Sequence, residues 1–165
     1  MSRALLNGIS DLRRTDREPL RQLLAETGYF SDDEIAIALE LVDAVLDHTE
    51  QQDYIIRVYR DGDAVLGYYC VGPTPATEST YDLYWIAVAS LLQGRGIGKA
   101  LIAHAEDLIR GLGGQLVIAE TSSRPQYDKT RRFYHLCGYA ELALIRGYYR
   151  PGDDLVVFGK YLSQR

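Results

Sequence analysis

The residues with the clearest chemical potential are seven in a row, Gln93-Gly94-Arg95-Gly96-Ile97-Gly98-Lys99. They lie between an apolar, strand-like run and an amphipathic helical run, where glycine-rich turns hold phosphate. Glycine lets successive backbone N–H groups point into one concavity, no Cβ blocks a close approach, and the following helix N-terminus adds partial positive charge. Three alternating glycines with Arg95 and Lys99 exceed what a tight connection needs. Two nucleotide motifs are excluded. A Walker A loop needs Gly at position 93 and Ser or Thr at 100, where Gln93 and Ala100 stand. A dinucleotide fingerprint needs Gly at 99, where the chain has Lys99.

The elements that must position this turn follow from periodicity and punctuation. Asp16-Arg17-Glu18-Pro19 opens a helix whose apolar stripe is Leu20, Leu23 and Leu24. Ser31 and Glu34 form a capping box before a second helix with Ile35, Leu39, Val42 and Leu46 at helical spacing. A first strand is predicted at residues 5–9, and a hairpin over 54–59 and 64–71 around Asp61-Gly62. A strand over 81–89 leads through the glycine turn into a helix over 97–112, which Gly113-Gly114 ends. A strand over 115–121, a short helix over 130–136 and strands over 139–148 and 155–162 complete the chain. The strand–helix–strand unit from 81 to 121 is expected to be parallel.

Composition narrows the function. The chain has 165 residues, 47% hydrophobic and 25% charged, with a net charge of −5, which suits a compact domain and argues against general nucleic-acid binding. Cys70 and Cys137 form no C-x-x-C pair, and His48, His104 and His135 show no metal-ligand spacing, so neither a disulfide framework nor a metal site is expected. No apolar run reaches the length of a membrane span, and residues 1–10 lack a signal-like core; a cytoplasmic, non-membrane protein is the expectation. Charge is uneven. Residues 31–50 hold seven acidic residues and no Lys or Arg, whereas residues 93–132 hold seven basic against four acidic ones. Two solvated faces, or a cation-facing wall and a polyanion site, both fit this split. Tyrosine is abundant, 13 against 3 Phe and 1 Trp, which suits either packing or the wall of a polar cleft.

Ile86-Ala87-Val88 followed by Gln93-Gly94-Arg95-Gly96-Ile97-Gly98 resembles motif A of the GNAT superfamily of acyl-CoA N-acyltransferases. Phe133-Tyr134-His135-Leu136-Cys137-Gly138-Tyr139 resembles that family's later aromatic-Tyr-x-x-x-Gly-aromatic segment. The two stand in the family's order with a strand between them, and the likeness runs from about residue 5 to 162. Many members carry Asn seven residues before the motif Tyr, where this chain has Tyr127. The resemblance implies one N-acetyltransferase domain over residues 1–165. Its fold would be α/β, with a central, mixed, mostly antiparallel sheet of six or seven strands, a splayed parallel pair and about four helices.

The resemblance also implies a chemistry. Acetyl-CoA is the expected co-substrate, without a metal. Its pyrophosphate would lie on the N–H groups of Gln93, Gly94, Arg95, Gly96, Ile97, Gly98 and Lys99, and its pantetheine along Ile86 and Val88. The acetyl group would pass to a primary amine by direct attack through a tetrahedral intermediate, with the Val88 N–H facing the oxyanion. Tyr134 matches the family's general acid. Asp82, on the same face of its strand as Tyr84, Ile86 and Val88, and Glu120 on the next strand are alternative general bases. Tyr84, Tyr148 and Tyr149 are candidate walls of the acceptor site. The acceptor would be a small cationic amine or a peptide amine, since Glu40, Asp43 and Asp47 share one helical face. A homodimer is the default oligomer. The competing expectation is a non-catalytic acyl-CoA-binding sensor that keeps the glycine turn but not the acid and base.

Overall fold

The computed structural model describes residues 8–162. It is an α/β fold with one seven-stranded mixed sheet in the order β1-β2-β3-β4-β5-β7-β6. The strands are β1 (Ile9–Asp11), β2 (Ile55–Asp61), β3 (Ala64–Pro73), β4 (Thr80–Val88), β5 (Leu116–Ser122), β6 (Ala140–Arg150) and β7 (Asp153–Tyr161). Among the described residues there are four α-helices: α1 (Arg17–Thr27), α2 (Asp32–Asp47), α3 (Ile97–Gly111) and α4 (Asp128–Leu136). The mixed, mostly antiparallel sheet expected from the sequence is therefore observed. Most of the predicted first strand lies outside the described residues, and β1 begins at Ile9. By compactness the chain divides into two units, one comprising residues up to Gly72 with Tyr84–Asp107, the other Pro73–Leu83 with Leu108 onward.

In the first unit, β1 pairs with β2 and β2 with β3, all antiparallel, and Gly62 turns the hairpin with φ 58°. Both predicted helices form for the expected reasons. Pro19 sits in the first turn of α1, and Gly28 ends it in the left-handed conformation, φ 68°. At the start of α2 the Glu34 N–H donates to Ser31 Oγ at 3.2 Å while the Ser31 N–H donates to Glu34 Oε2 at 2.7 Å. The apolar stripes Leu20, Leu23, Leu24 and Ile35, Ala38, Leu39, Val42 pack on Ile56, Val58, Tyr68 and Cys70 of the sheet. Each large aliphatic side chain so buried contributes about 1.5–3 kcal/mol. A buried ion pair, Arg60 with Asp16, ties the β2 end to the segment before α1.

In the second unit, β5 runs parallel to β4 through the pairs Thr80–Leu116, Tyr81–Val117 and Asp82–Ile118, and antiparallel to β7 along its whole length. β6 and β7 form a hairpin turned at Gly152, φ 81°. Its core comprises Val117, Ala119, Tyr134, Tyr139, Leu155, Val156 and Phe158. β6 is exposed along its whole length and bulged against β7 between Glu141 and Ala143.

Candidate functional site

The glycine turn follows β4 in the first unit. Gly94 and Gly96 have φ of 79° and 89°, the left-handed region that a side chain disfavours. Space around a Cβ at Gly94 is open to 4 Å, so backbone conformation, not crowding, requires glycine there. The first backbone bond of α3 is Ala100 N–H to Gly96 O, 3.0 Å. The N–H groups of Ile97, Gly98 and Lys99 precede it, and a helix start leaves such groups without intrahelical acceptors. Ile97 is buried, anchoring the helix, while Gly94, Arg95 and Lys99 are exposed. The Gln93 side-chain amide donates to the Val88 carbonyl at 3.3 Å, joining the turn to the end of β4. Two left-handed glycines, a helix N-terminus and two exposed cations fit a pyrophosphate. Ile86 and Val88 are half-buried on β4, and Tyr84 stacks edge-on against Tyr54 with centroids 5.4 Å apart.

The candidate acid–base residues lie in the second unit. In a parallel pair, residues directly opposite share a face, so Asp82 shares one with its partner Ile118 and with Glu120, two residues further. Burial and then the Asp82 charge hold the Glu120 carboxyl above the usual carboxylate range. Tyr149 stands in the same field. Its hydroxyl is pushed up to about 12 by burial first, then by Glu120, Tyr148, Asp153 and Tyr127. The Tyr148 and Tyr149 rings meet edge to face at 5.0 Å, and both are exposed. Tyr134 is buried on α4 beside Tyr139 and Phe158, with centroids 5.6 and 5.3 Å away. Burial pushes its proton affinity well up, so at neutral pH it is a donor, not a phenolate.

The structure thus brings Asp82, Glu120 and Tyr149 into one electrostatic cluster, with Tyr148 against Tyr149, and places Tyr134 in the neighbouring aromatic core. Three participants escaped the sequence reading. Tyr127, noted there only as a departure from the family pattern, joins the field around Tyr149. The buried Asp153 accepts a hydrogen bond from Ser122 two residues beyond Glu120. Thr74 donates its hydroxyl to Asp82 Oδ2 at 2.8 Å; its signal would have been its place opposite Thr80 across a tight turn. One expectation needs correction. Of the acidic face on α2, Asp43 is gripped bidentately by Arg17 at 2.6 and 2.8 Å, and Asp47 pairs with Arg14 at 2.9 Å. Those two carboxylates serve the helix pair, because α1 packs alongside α2 and brings Arg17, and with it Arg14 of the turn before the helix, across. Among the described residues no group of three His, Cys, Asp or Glu is arranged to hold a metal, and no helix is long and apolar enough to cross a membrane.

Comparison with known proteins adds identity to this geometry. The family model described as Acetyltransferase (GNAT) family matches residues 17–139. The chain is 34% identical over 94 residues to the N-alpha-acetyltransferase RimI of Mycobacterium tuberculosis (strain ATCC 25618 / H37Rv), 55% of each chain, so it spans about half that relative's length. Its fold matches a crystal structure from Desulfovibrio desulfuricans assigned to the GNAT family, with TM-score 0.91 and 40% identity over 94% of this chain and 98% of that one. An aminoglycoside 6'-N-acetyltransferase solved with coenzyme A shares the fold, with TM-score 0.73 and 17% identity over 95% and 98%.

Proposed function

Because this chain belongs to the GNAT acetyltransferase family, we propose that it transfers the acetyl group of acetyl-CoA to a primary amine, with Glu120 as the general base. The observation that carries this reading is Glu120 itself, a partly exposed carboxylate that partial burial and then the Asp82 charge raise above its usual range. A base gains efficiency as its proton affinity approaches the working pH.

In this reading acetyl-CoA supplies the acetyl group as a thioester, and the chain's residues do the rest. Within the Gln93–Lys99 turn the N–H groups of Gln93 and Arg95 donate to the Ser90 and Leu92 carbonyls, each at 3.4 Å. Those of Gly94, Gly96, Ile97, Gly98 and Lys99 therefore hold the pyrophosphate, with the Arg95 and Lys99 side chains adding charge, and Ile86 and Val88 offer backbone to the pantetheine. Glu120 takes the ammonium proton, directly or through water, and the Val88 N–H faces the developing oxyanion. Tyr134 donates toward the departing sulfur. Its raised proton affinity exceeds that of an ordinary thiol, near 8.5, so a hydrogen bond to the sulfur suits it better than complete proton transfer.

The proton affinity of the amine ranks the acceptors. An α-amine titrates near 8 and a lysine or alkyl amine above 10, so a carboxylate base has less far to go with an α-amine. The exposed Tyr148–Tyr149 pair beside Glu120 suits the apolar flank of a peptide's first residues. A peptide or protein α-amine is therefore the favoured acceptor, ahead of a small polyamine, which accords with the RimI likeness. The test is release of coenzyme A thiol across a panel of peptide α-amines, lysine side chains and small polyamines. Turnover highest with an α-amine supports the reading; coenzyme A binding without thiol release from any amine refutes it. Tyr134→Phe should lower kcat while leaving acetyl-CoA affinity unchanged.

A further inference from the structure

The loop between β3 and β4 is built around one side chain. The Thr74 N–H donates to the Thr80 carbonyl at 2.9 Å, and the Thr74 carbonyl accepts from Thr77, from Oγ1 at 2.7 Å and from the N–H at 3.3 Å. Pro75 and the left-handed Ala76, φ 62°, complete this turn, with Pro at its first central position and a positive φ at its second. Both backbone polar groups of Thr74 are therefore occupied, and its hydroxyl is left to donate to Asp82 Oδ2 at 2.8 Å. Asp82 occupies the face of the β4–β5 pair that also carries Glu120, one register step of two residues further along. At sheet spacings their Cα atoms are roughly 8 Å apart, within reach of two extended carboxylates.

We propose that Thr74 is a positioning residue for the acid–base site, holding the Asp82 carboxylate where its negative charge acts on Glu120. Asp82 then does not remove the amine's proton; it keeps Glu120 basic enough to do so. This rests on the reading of Glu120 as base. The division of labour has a physical reason. Two carboxylates sharing one field cannot ionise independently, so a hydroxyl that fixes where one of them stands also fixes the field it exerts on the other. The raised proton affinity of Glu120, with Asp82 among its causes, accords with this. The titratable groups that act on Tyr149 together with Glu120 are Tyr148 of β6, Tyr127 before α4 and Asp153 at the start of β7. Arg150 adds a cation to this set, and it pairs with Asp153 at 3.8 Å, while the Asp82 carboxylate takes the Thr74 hydroxyl.

The test is the pH dependence of kcat/KM for thiol release with the best amine acceptor, compared among the wild type, Thr74→Val, Thr74→Ser, Asp82→Asn and Glu120→Gln. Asp82→Asn should move the acidic limb to lower pH. It should also lower the plateau, by less than the about 10²–10⁴-fold that losing a general base costs. Thr74→Val should shift the limb in the same direction by a smaller amount, and Thr74→Ser, which keeps the hydroxyl, should retain the wild-type limb. Thr74→Ala replaces the valine variant should the latter fail to fold. If Glu120→Gln abolishes the limb while Asp82→Asn and the Thr74 variants leave it in place, the role of Thr74 is overturned and the base assignment stands. If Glu120→Gln keeps the limb, the base assignment falls and this inference with it.

Discussion

Replacing Gly94 by alanine tests the phosphate cradle against a control built into the same chain. Gly94 has φ 79° with open space where a Cβ would stand, and Gly113, beyond the end of α3, has φ 85° with equally open space. An L side chain in this region costs about 1–2 kcal/mol at either site, and neither variant adds a clash. Gly94→Ala and Gly113→Ala should therefore lose stability alike, a Tm drop of about 2–8 °C for a chain of this size. Binding should separate them. If the backbone of the Gly94→Ala variant relaxes toward negative φ at this position, the preceding peptide turns and the N–H of position 94 leaves the concavity. A hydrogen bond to a charged acceptor is worth about 1.5–3 kcal/mol, so coenzyme A affinity should fall about 10- to 100-fold in Gly94→Ala. Gly113→Ala should match the wild type. Isothermal titration with coenzyme A reads the affinity directly, and a thermal melt reads the stability. Equal affinities for the two variants would refute the assignment of this turn to the pyrophosphate.

Other outcomes follow from individual contacts. Asp16 and Arg60 are each about 5% exposed and pair with one another; removing one partner from such a pair costs about 3–5 kcal/mol, so Asp16→Ala should lower Tm by about 6–20 °C. Ala76 holds a left-handed turn position that glycine adopts freely, and Ala76→Gly should raise Tm by about 1–3 °C without loss of activity. Glu120 has a raised folded-state proton affinity, so its contribution favours folding below the unfolded value and is lost as pH rises through the folded one. The Tm of Glu120→Gln should therefore gain on the wild type between pH 4 and pH 8; a constant gap would contradict the shift. Arg17→Ala should free Asp43, whose carboxyl Arg17 holds below the usual range, yet cost little stability because the pair is exposed.

Much of this architecture was legible in the sequence because local signals and tertiary packing agree. The Ser31–Glu34 box, the Asp61-Gly62 hairpin and the stripes of α1 and α2 each state their element without reference to the rest of the chain. The glycine turn was legible because its chemistry lies in the backbone, which glycine spacing reveals. What stayed hidden depends on contacts between residues far apart in sequence. Alternation placed Asp82 on a face, but only the β4–β5 register sets Glu120 on that same face, and only the β3–β4 turn brings Thr74 to Asp82. The acidic run on α2 looked like a wall for a cation. Its pairing with Arg14 and Arg17 depends on how two helices pack, which no local pattern records. The tyrosine excess divides by position: Tyr68 and Tyr69 are core, Tyr148 and Tyr149 are exposed beside the carboxylates, and Tyr134 is buried.

Base-assisted acetyl transfer by Glu120 is decided by mass spectrometry of a peptide α-amine acceptor incubated with acetyl-CoA and either the wild type or Glu120→Gln. A single added acetyl group is expected with the wild type, with a rate about 10²–10⁴-fold lower for Glu120→Gln and equal coenzyme A affinity for the two proteins. An acceptor acetylated equally fast by both would contradict that role of Glu120.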